Sequence, residues 1–169
     1  MLAAAATALL PPGDARAQAV APHGDAIYTP APGQTGKDVM WLGTPDAMVA
    51  AMLKAARTGP ADFVADLGAG DGRIAIAAAR DFGARALGIE YDPKMAALAA
   101  RNASRAGVGD RVRIVEGDIF KEDFSRASVV TLYLLPELNL QLRPTILAMA
   151  PGTRVVSYQF TMAEWEPDQ

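Results

Sequence analysis

The sequence predicts an α/β domain built on a doubly wound parallel sheet, and two observations support this fold class. Five short apolar segments are typical of strands, at residues 62–67, 86–91, 111–115, 128–134 and 154–158. Helical segments lie between most of them, so the strands are expected to pair in parallel through right-handed crossovers. In such a sheet, ligands bind at the carboxyl ends of the strands.

Helix-boundary residues support the predicted helices, which span residues 45–58, 73–81, 92–106 and 137–149. Thr44 can cap the first helix, and Pro45 suits its first turn. Gly83 follows the second helix, and Asp92 can cap the third. Pro144 predicts a kink or break in the fourth helix, because proline has no backbone N–H to donate.

Composition excludes several function classes. The chain has 169 residues, of which 51% are hydrophobic and 21% charged, as expected for a folded domain. It has no Cys and a single His, His23, so no thiol nucleophile, metal site or catalytic triad is predicted. The net charge of -3 argues against electrostatic capture of nucleic acid, and we expect no nucleic-acid partner. No apolar run reaches the roughly 20 residues of a membrane-spanning helix.

The first 38 residues lie outside the predicted domain, which is expected to span residues 39–169. The apolar run at 2–10 and the small residues after it resemble a secretory signal peptide over residues 1–19. No basic leader precedes them, so an Ala-rich tail is the alternative. Residues 20–38 hold several prolines and glycines without periodicity, which predicts a linker or flexible arm.

A glycine-rich turn, DLGAGDG from Asp66 to Gly72, follows the first predicted strand. Gly68 and Gly70 leave the backbone bare, so that a ligand can approach it closely; a tight turn that only needs positive φ is the alternative. The G-x-G-x-G spacing is one residue short of the dinucleotide fingerprint, and Asp66 and Asp71 would repel a pyrophosphate. Two carboxylates beside bare backbone suit a ligand with cationic groups, such as a sulfonium and an ammonium.

Two further carboxylates follow the next two predicted strands. Glu90 ends the second strand and can accept hydrogen bonds from both hydroxyls of a ribose, although a carboxylate there also suits a surface position or the start of a helix. Asp118, after the third strand, can accept from an exocyclic amino group while Ile119 packs on the face of a base. An ordinary Gly-Asp turn is the alternative for Asp118.

Together, DLGAGDG, GIEYDP and EGDI resemble motif I, the acidic residue that follows it and motif III of the class I S-adenosylmethionine-dependent methyltransferases. DLGAGDGRIAIAAAR is similar to the protein-lysine methyltransferase branch, which includes the ATP synthase c-subunit and Dot1-like enzymes. TLYLLPELNLQLRP resembles the substrate-side segment of small bacterial members of that branch. The resemblance spans residues 41–167.

The resemblance implies a Rossmann-like fold, S-adenosylmethionine as the cofactor, and methyl transfer to an acceptor that we expect to be a protein lysine. It assigns the cofactor-binding residues as Asp66, Gly68 and Gly70 at the methionine end, Glu90 at the ribose, and Asp118 with Ile119 at the adenine. We add Asp71, which follows Gly70 in the glycine-rich turn, and Thr44, which lies at the start of the first predicted helix. No metal is implied.

The methyl acceptor is expected near the end of the fourth predicted strand and near Trp41 and Thr44. Tyr133 and Glu137 are the predicted catalytic residues, because both can accept or orient an acceptor proton there. Alternatively, Tyr133 is a packing aromatic and Glu137 a carboxylate favoured by the helix dipole. Alternative functions are methylation of a small molecule, non-catalytic cofactor binding and nicotinamide-dependent oxidation or reduction.

The sequence departs from the family pattern at its C-terminal end. The family sheet has seven strands that include a C-terminal antiparallel pair, whereas this sequence has room for five. We therefore predict a sheet that lacks this hairpin in a chain shortened at its C-terminus, with a bare outer edge on strand 154–158 and marginal stability. The cellular compartment is left open, because the cofactor points to the cytoplasm and the signal-like segment points to export.

Overall fold

The computed structural model describes residues 7–10, 24–36 and 41–168 of the chain. Most of the signal-like segment 1–19, His23 and part of the predicted arm 20–38 lie outside the described residues. Within them, no helix is long and apolar enough to cross a membrane.

The described residues form six strands and four helices. The strands are β1 (Thr7–Leu10), β2 (Phe63–Leu67), β3 (Arg85–Glu90), β4 (Val112–Glu116), β5 (Val129–Leu132) and β6 (Arg154–Tyr158). The helices are α1 (Asp46–Ala55), α2 (Arg73–Phe82), α3 (Pro93–Arg105) and α4 (Pro136–Leu147). All strand pairs are parallel, and the sheet order is β1-β6-β5-β2-β3-β4. The predicted doubly wound parallel sheet is confirmed.

The strand order reverses direction at β2, which pairs with β3 on one side and with β5 on the other. The chain therefore leaves β2 toward one edge of the sheet and later returns to build the other half. A crevice opens at such a point, because the connections after β2 and β5 diverge to opposite sides. This topology places the glycine turn after β2 next to the end of β5.

Apolar side chains fill the space on both faces of the sheet. On one face, Val49, Met52 and Leu53 of α1 pack with the Ala-rich helix α2, in which residues 74–79 are all buried. The small alanine side chains let α2 lie close to the strands. On the other face, Leu138, Leu142 and Ile146 of α4 cover the sheet. Burial on both faces explains why the strands are continuous apolar runs.

The prediction that the outer edge of β6 is bare is wrong. Thr7 of β1 pairs with Val155, and Leu10 pairs with Tyr158, so the backbone of β1 occupies that edge. Part of the segment that we placed outside the fold therefore belongs to the sheet. The predicted lack of a C-terminal hairpin is not confirmed; in the described residues after β6, Met162 and Trp165 form one isolated antiparallel bridge.

Two helix boundaries also differ from the prediction. Helix α1 begins at Asp46 with Pro45 as its N-cap and no side-chain cap, so Thr44 does not cap it. Helix α4 runs through Pro144 to Leu147 instead of breaking there. In contrast, Asp92 caps α3 as predicted, because its carboxylate accepts from the backbone N–H groups of residues 94 and 95.

Candidate active site

A cleft with an open volume of about 940 Å³, including its mouth, lies at the carboxyl ends of the central strands. The glycine turn after β2 forms its floor, the ends of β3 and β5 form two walls, and residues 41–44 border it near α1. All eight predicted cofactor-binding residues line this cleft: Asp66, Gly68, Gly70, Asp71, Glu90, Asp118, Ile119 and Thr44. Residues from distant parts of the sequence are thus brought to one place by the parallel sheet.

The glycine turn has the bare, left-handed backbone that the sequence predicts. Gly68, Gly70 and Gly72 have φ values of 79°, 55° and 83°. A Cβ at Gly70 would lie 2.6 Å from Nε1 of Trp41, which is shorter than any stable contact. The backbone N–H groups of residues 68 and 69 both donate to the carbonyl of Ile89, which holds the turn against β3.

Asp66 at the end of β2 is a buried carboxylate with one unpaired oxygen. Its Oδ1 accepts from Oγ1 of Thr131 at 2.8 Å, whereas Oδ2 has no hydrogen-bond partner among the described residues. Burial, with the nearby Asp71 and Glu90 carboxylates, raises the pKa of Asp66 to about 7 against the effect of the Thr131 hydroxyl. A buried oxygen without a partner is costly, and a cationic group in the cleft would satisfy it.

Glu90 connects the end of β3 to the glycine turn. Its Oε2 accepts from the backbone N–H of Gly70 at 2.8 Å, and its Oε1 accepts from that of Asp92 at 2.9 Å. A carboxylate offers about four lone-pair positions, so each oxygen retains one for a ligand hydroxyl. Burial raises the pKa of Glu90 above its ordinary value, against these two hydrogen bonds. The fixed orientation suits a vicinal diol such as a ribose.

Asp71 was expected to face a cationic ligand as a free carboxylate, but the structure shows it paired. Its carboxylate is paired with the guanidinium of Arg73, with Oδ2 at 2.6 Å from Nη2, and the two side chains are 2% and 5% exposed. Arg73 also donates to the carbonyl of Thr44 at 2.8 Å. This buried pair therefore compensates the charge of Asp71 and ties the glycine turn to residues 41–44.

Arg73 was missed by the sequence analysis. An arginine two residues after an aspartate at the start of a helix is the available signal, but that spacing is also common on solvated helix ends. Asn102 of α3 was missed as well; its side-chain amide donates to the carbonyl of Asp71 at 2.9 Å. Both residues hold the glycine turn in place through hydrogen bonds to backbone carbonyls, over separations of 29 and 31 positions of the chain.

Asp118 and Ile119 lie on the side of the cleft formed by the loop after β4. Oδ1 of Asp118 accepts from the backbone N–H of Phe120 at 3.0 Å, which closes a tight turn. Ile119 is half-buried and packs against the apolar core on the sheet face that α4 covers. The predicted adenine role thus involves a carboxylate whose orientation is set by its own loop, beside an apolar side chain.

The two predicted catalytic residues are placed differently. Tyr133, just after β5, lines the cleft and contacts two aromatic rings, those of Tyr158 at 4.8 Å and Phe160 at 6.2 Å between centroids. Burial raises its pKa above the ordinary value. Glu137 in the first turn of α4 is not one of the described residues that line the cleft. The structure therefore brings Tyr133, but not Glu137, to the predicted cofactor-binding residues.

The described part of the predicted arm, residues 24–36, packs against the domain. Asp25 forms an ion pair with Arg101 of α3 at 2.6 Å, and this hydrogen bond lowers the pKa of the Asp25 carboxyl far below its usual value. The backbone of Trp41 exchanges two hydrogen bonds with residues 33 and 34, each at 2.9 Å. These contacts bring Trp41 to the edge of the cleft, next to Gly70.

A family of known proteins has the same organisation. The sequence model of the ANTKMT methyltransferase domain matches residues 66–169, more than half of the chain. The chain belongs to this methyltransferase family. A protein-lysine N-methyltransferase from Saccharolobus islandicus strain REY15A is 41% identical over 133 residues, covering 78% of this chain and 83% of that protein. The ATP synthase c-subunit lysine N-methyltransferase of Mus musculus is 36% identical, covering 66% of this chain but only 44% of that protein.

A solved structure gives the same result for the fold. The crystal structure of an RNA methyltransferase from Salinibacter ruber in complex with S-adenosyl-L-homocysteine is 50% identical to this methyltransferase. Its TM-score is 0.75, and the match covers 76% of this chain and 84% of that one. The cofactor of the methyltransferase is S-adenosylmethionine, and the predictions of cofactor, fold and enzyme class are confirmed.

The residues of the cleft fit this cofactor. The unpaired Oδ2 of Asp66 suits an ammonium, the bare glycine backbone admits the methionine chain, and the free lone pairs of Glu90 suit two ribose hydroxyls. These assignments to individual parts of the cofactor stay predictions.

Proposed function

We propose that this methyltransferase transfers a methyl group to a lysine side chain of a protein. The proposal rests on the relative from Saccharolobus islandicus, which is named a protein-lysine N-methyltransferase and is matched over 83% of its length. The wall of the cleft after β5 supports it, because the phenol oxygen of Tyr133 there can accept a hydrogen bond from an amine. The whole-chain charge of -3 points the same way.

The chain's own residues contribute positioning and desolvation. When bound, S-adenosylmethionine supplies an electrophilic methyl group: the amine lone pair forms the new N–C bond, the electrons of the broken C–S bond remain on sulfur, and one N–H proton passes to solvent. Asp66, Glu90 and the glycine turn would hold the donor at the carboxyl ends of β2 and β3. Such alignment can supply much of the rate enhancement of an in-line displacement.

Tyr133 is the group that we assign to the acceptor. Its place after β5 is across the glycine turn from Glu90, and the half-buried phenol carries an oxygen that can accept a hydrogen bond from an amine. A lysine must reach the methyl group as the neutral amine, and transfer from water into an apolar wall favours that form. The aromatic neighbours Tyr158 and Phe160 keep the wall apolar.

RNA is the second candidate acceptor, because the Salinibacter ruber protein is named an RNA methyltransferase and is 50% identical. Both candidates use the same donor site and differ in what enters the cleft from its mouth. The net charge of -3 attracts a cationic lysine side chain and repels the phosphates of RNA. For this reason we favour the protein acceptor.

One experiment separates the two acceptors. Purified enzyme is incubated with an extract of its native host and with S-adenosylmethionine that carries a labelled methyl group. Label is expected in protein and, after acid hydrolysis, in methylated lysine. Label that is removed by ribonuclease and not by protease would identify RNA, and label in neither fraction would point to a small molecule. The Glu90→Gln variant, which lacks one donor-site charge, serves as the control for enzyme-dependent transfer.

The mature N-terminus bears on where the enzyme acts. Cleavage after Ala19 would remove β1 and leave β6 without its outer neighbour. Mass spectrometry of the protein isolated from its native host distinguishes an exported form that starts at Val20 from a retained form that starts at Met1.

A further inference from the structure

Gln159 has an unusual backbone conformation directly after β6. Its φ is +66°, in the left-handed region that residues other than glycine, asparagine and aspartate rarely adopt. The backbone N–H of Phe160 donates to the carbonyl of Tyr158 at 2.9 Å, which makes residues 158–160 a three-residue turn with a strained centre. Strain of this kind persists only where neighbouring contacts enforce it, and it is concentrated at functional sites.

Buried polar contacts hold this turn in place. Oγ of Ser157 donates to the carbonyl of Phe160 at 2.6 Å. The side-chain amide of Asn139, which is completely buried in α4, donates to the carbonyls of Phe160 and Thr161, each at 3.4 Å. These groups come from α4 and β6, so the position of Gln159 is set by the framework of the domain.

The turn brings the side chain of Gln159 to Tyr133. The phenol O–H of Tyr133 donates to Oε1 of Gln159 at 3.2 Å, across 26 positions of the chain. Tyr133 lines the cleft, while Gln159 is not among the described residues that do so. The two tyrosine ring contacts, with Tyr158 and Phe160, come from the same turn. One short segment therefore fixes both the ring and the hydroxyl of Tyr133.

We propose that Gln159 is a positioning residue that ties up the hydroxyl proton of Tyr133, so that the phenol oxygen faces the methyl acceptor only as a hydrogen-bond acceptor. A phenol whose proton is engaged can receive an N–H of an incoming amine but cannot donate to its lone pair. The amine lone pair then stays available for the methyl group. This inference rests on the proposed function, because it concerns the acceptor side of the same site.

The first test measures Tyr133 directly and needs no acceptor. The pKa of Tyr133 is followed by NMR of protein that carries ¹³C at the tyrosine ring carbon bonded to oxygen, with Tyr133→Phe to assign the signal. Removal of the acceptor oxygen in Gln159→Met is expected to lower this pKa by roughly half a unit, because a bond to the neutral phenol is lost. Gln159→Glu, which keeps an acceptor oxygen, is expected not to lower it. An unchanged pKa in Gln159→Met overturns the inference.

The second test uses methyl transfer in the native-host extract. Gln159→Met is expected to lower the initial rate of label incorporation about 3- to 10-fold, the effect of one lost hydrogen bond, with an unchanged Kd for S-adenosylmethionine. In a Tyr133→Phe background the same substitution is expected to have no further effect. An equal loss in that background would show that Gln159 has only a structural role and overturns the inference.

Two variants control for folding. Gln159→Gly relieves the backbone strain, so it is expected to be at least as stable as the parent while it loses activity as Gln159→Met does. Gln141→Met places the same substitution on the exposed face of α4 and is expected to behave as the parent. Full activity in Gln159→Gly overturns the inference. Label found in RNA would refute the lysine acceptor, yet it would leave the Tyr133 pKa measurement valid.

Discussion

Replacement of Asp66 by asparagine is expected to make the stability of the free enzyme less dependent on pH. Burial raises the pKa of Asp66 to about 7, whereas the unfolded chain has the ordinary value near 3.8. Between these two values the folded state keeps a proton that the unfolded state has released, so each rise in pH destabilises the fold. Stability contributed by this proton is complete below the unfolded pKa and is lost as the pH passes through about 7.

The size of the effect follows from the two pKa values. From about pH 5.5 to pH 8.5, the unfolding free energy of the parent is expected to fall by about 2 kcal/mol. About 1.5 pH units of this range lie below the folded pKa, and each of them contributes about 1.4 kcal/mol. Asparagine has no proton to lose and keeps an oxygen for the hydroxyl of Thr131. The contribution of Glu90 is present in both proteins and largely cancels in the difference.

Urea denaturation of both proteins at the two pH values measures this difference. The unfolding free energy of the parent should fall by about 2 kcal/mol more than that of Asp66→Asn. Asp123→Asn, a substitution of a carboxylate outside the cleft, is the matched control and should follow the parent. Parallel pH profiles for parent and Asp66→Asn would refute the reasoning, because they would mean that Asp66 does not titrate in this range.

The same substitution is expected to weaken cofactor binding. The ionised Asp66 can pair its free Oδ2 with an ammonium, and a charged hydrogen bond contributes about 1.5–3 kcal/mol. Calorimetry should therefore show that the affinity of the parent for S-adenosylmethionine rises from about pH 5.5 to about pH 7.5, where an amino group still keeps its proton, and that Asp66→Asn loses this dependence. Equal affinities for the two proteins at about pH 7.5 would contradict the assignment of Asp66 to the methionine end.

Three further predictions concern the cleft. Glu90→Gln should weaken S-adenosylmethionine binding by ~1–3 kcal/mol in calorimetry, because the ribose loses a charged acceptor; unchanged affinity would exclude this role. Gly70→Val should abolish cofactor binding while the far-UV circular dichroism spectrum stays unchanged, because the added Cβ would clash with the side chain of Trp41 at the edge of the cleft. Normal binding would contradict the argument that the ligand needs bare backbone here. Arg73→Met should lower the unfolding free energy by ~3–5 kcal/mol in urea, because Asp71 is left as an unpaired buried charge; a loss below ~1 kcal/mol would refute this.

Local patterns in the sequence were sufficient to predict the framework of this protein and to bring the predicted cofactor-binding residues to one cleft. Alternation of apolar strands and helices determines a parallel sheet, and a residue that ends a strand of such a sheet must lie at its carboxyl edge. Asp66, Glu90 and Asp118 each lie at or just after the end of a strand, so their meeting in one cleft could be predicted from strand boundaries alone. The glycines of the turn were recognisable for the same reason, because their φ requirement is local.

The acceptor side and the outer edge of the sheet depend on contacts between distant residues. Glu137 was predicted from its closeness to β5 in the sequence, but the first turn of α4 keeps it out of the cleft lining. The edge of β6 was expected to be bare because the sequence has no room for the C-terminal hairpin of the family, and β1 reaches it from the other end of the chain. Neither outcome follows from periodicity, since periodicity describes which face of an element is buried and not which partner covers it.

The sequence by itself therefore determined the fold class and the positions of the strand-end carboxylates, and its resemblance to a known family identified the cofactor. Only the tertiary structure decided which of these groups are paired. Asp71 is compensated by Arg73, one oxygen of Asp66 has no partner in the part of the chain that the structure describes, and Tyr133 is hydrogen-bonded to Gln159. The physical reason is that strand ends and glycine turns are properties of short segments, whereas the charge and orientation of a buried polar group depend on side chains that only the folded chain brings within hydrogen-bond distance.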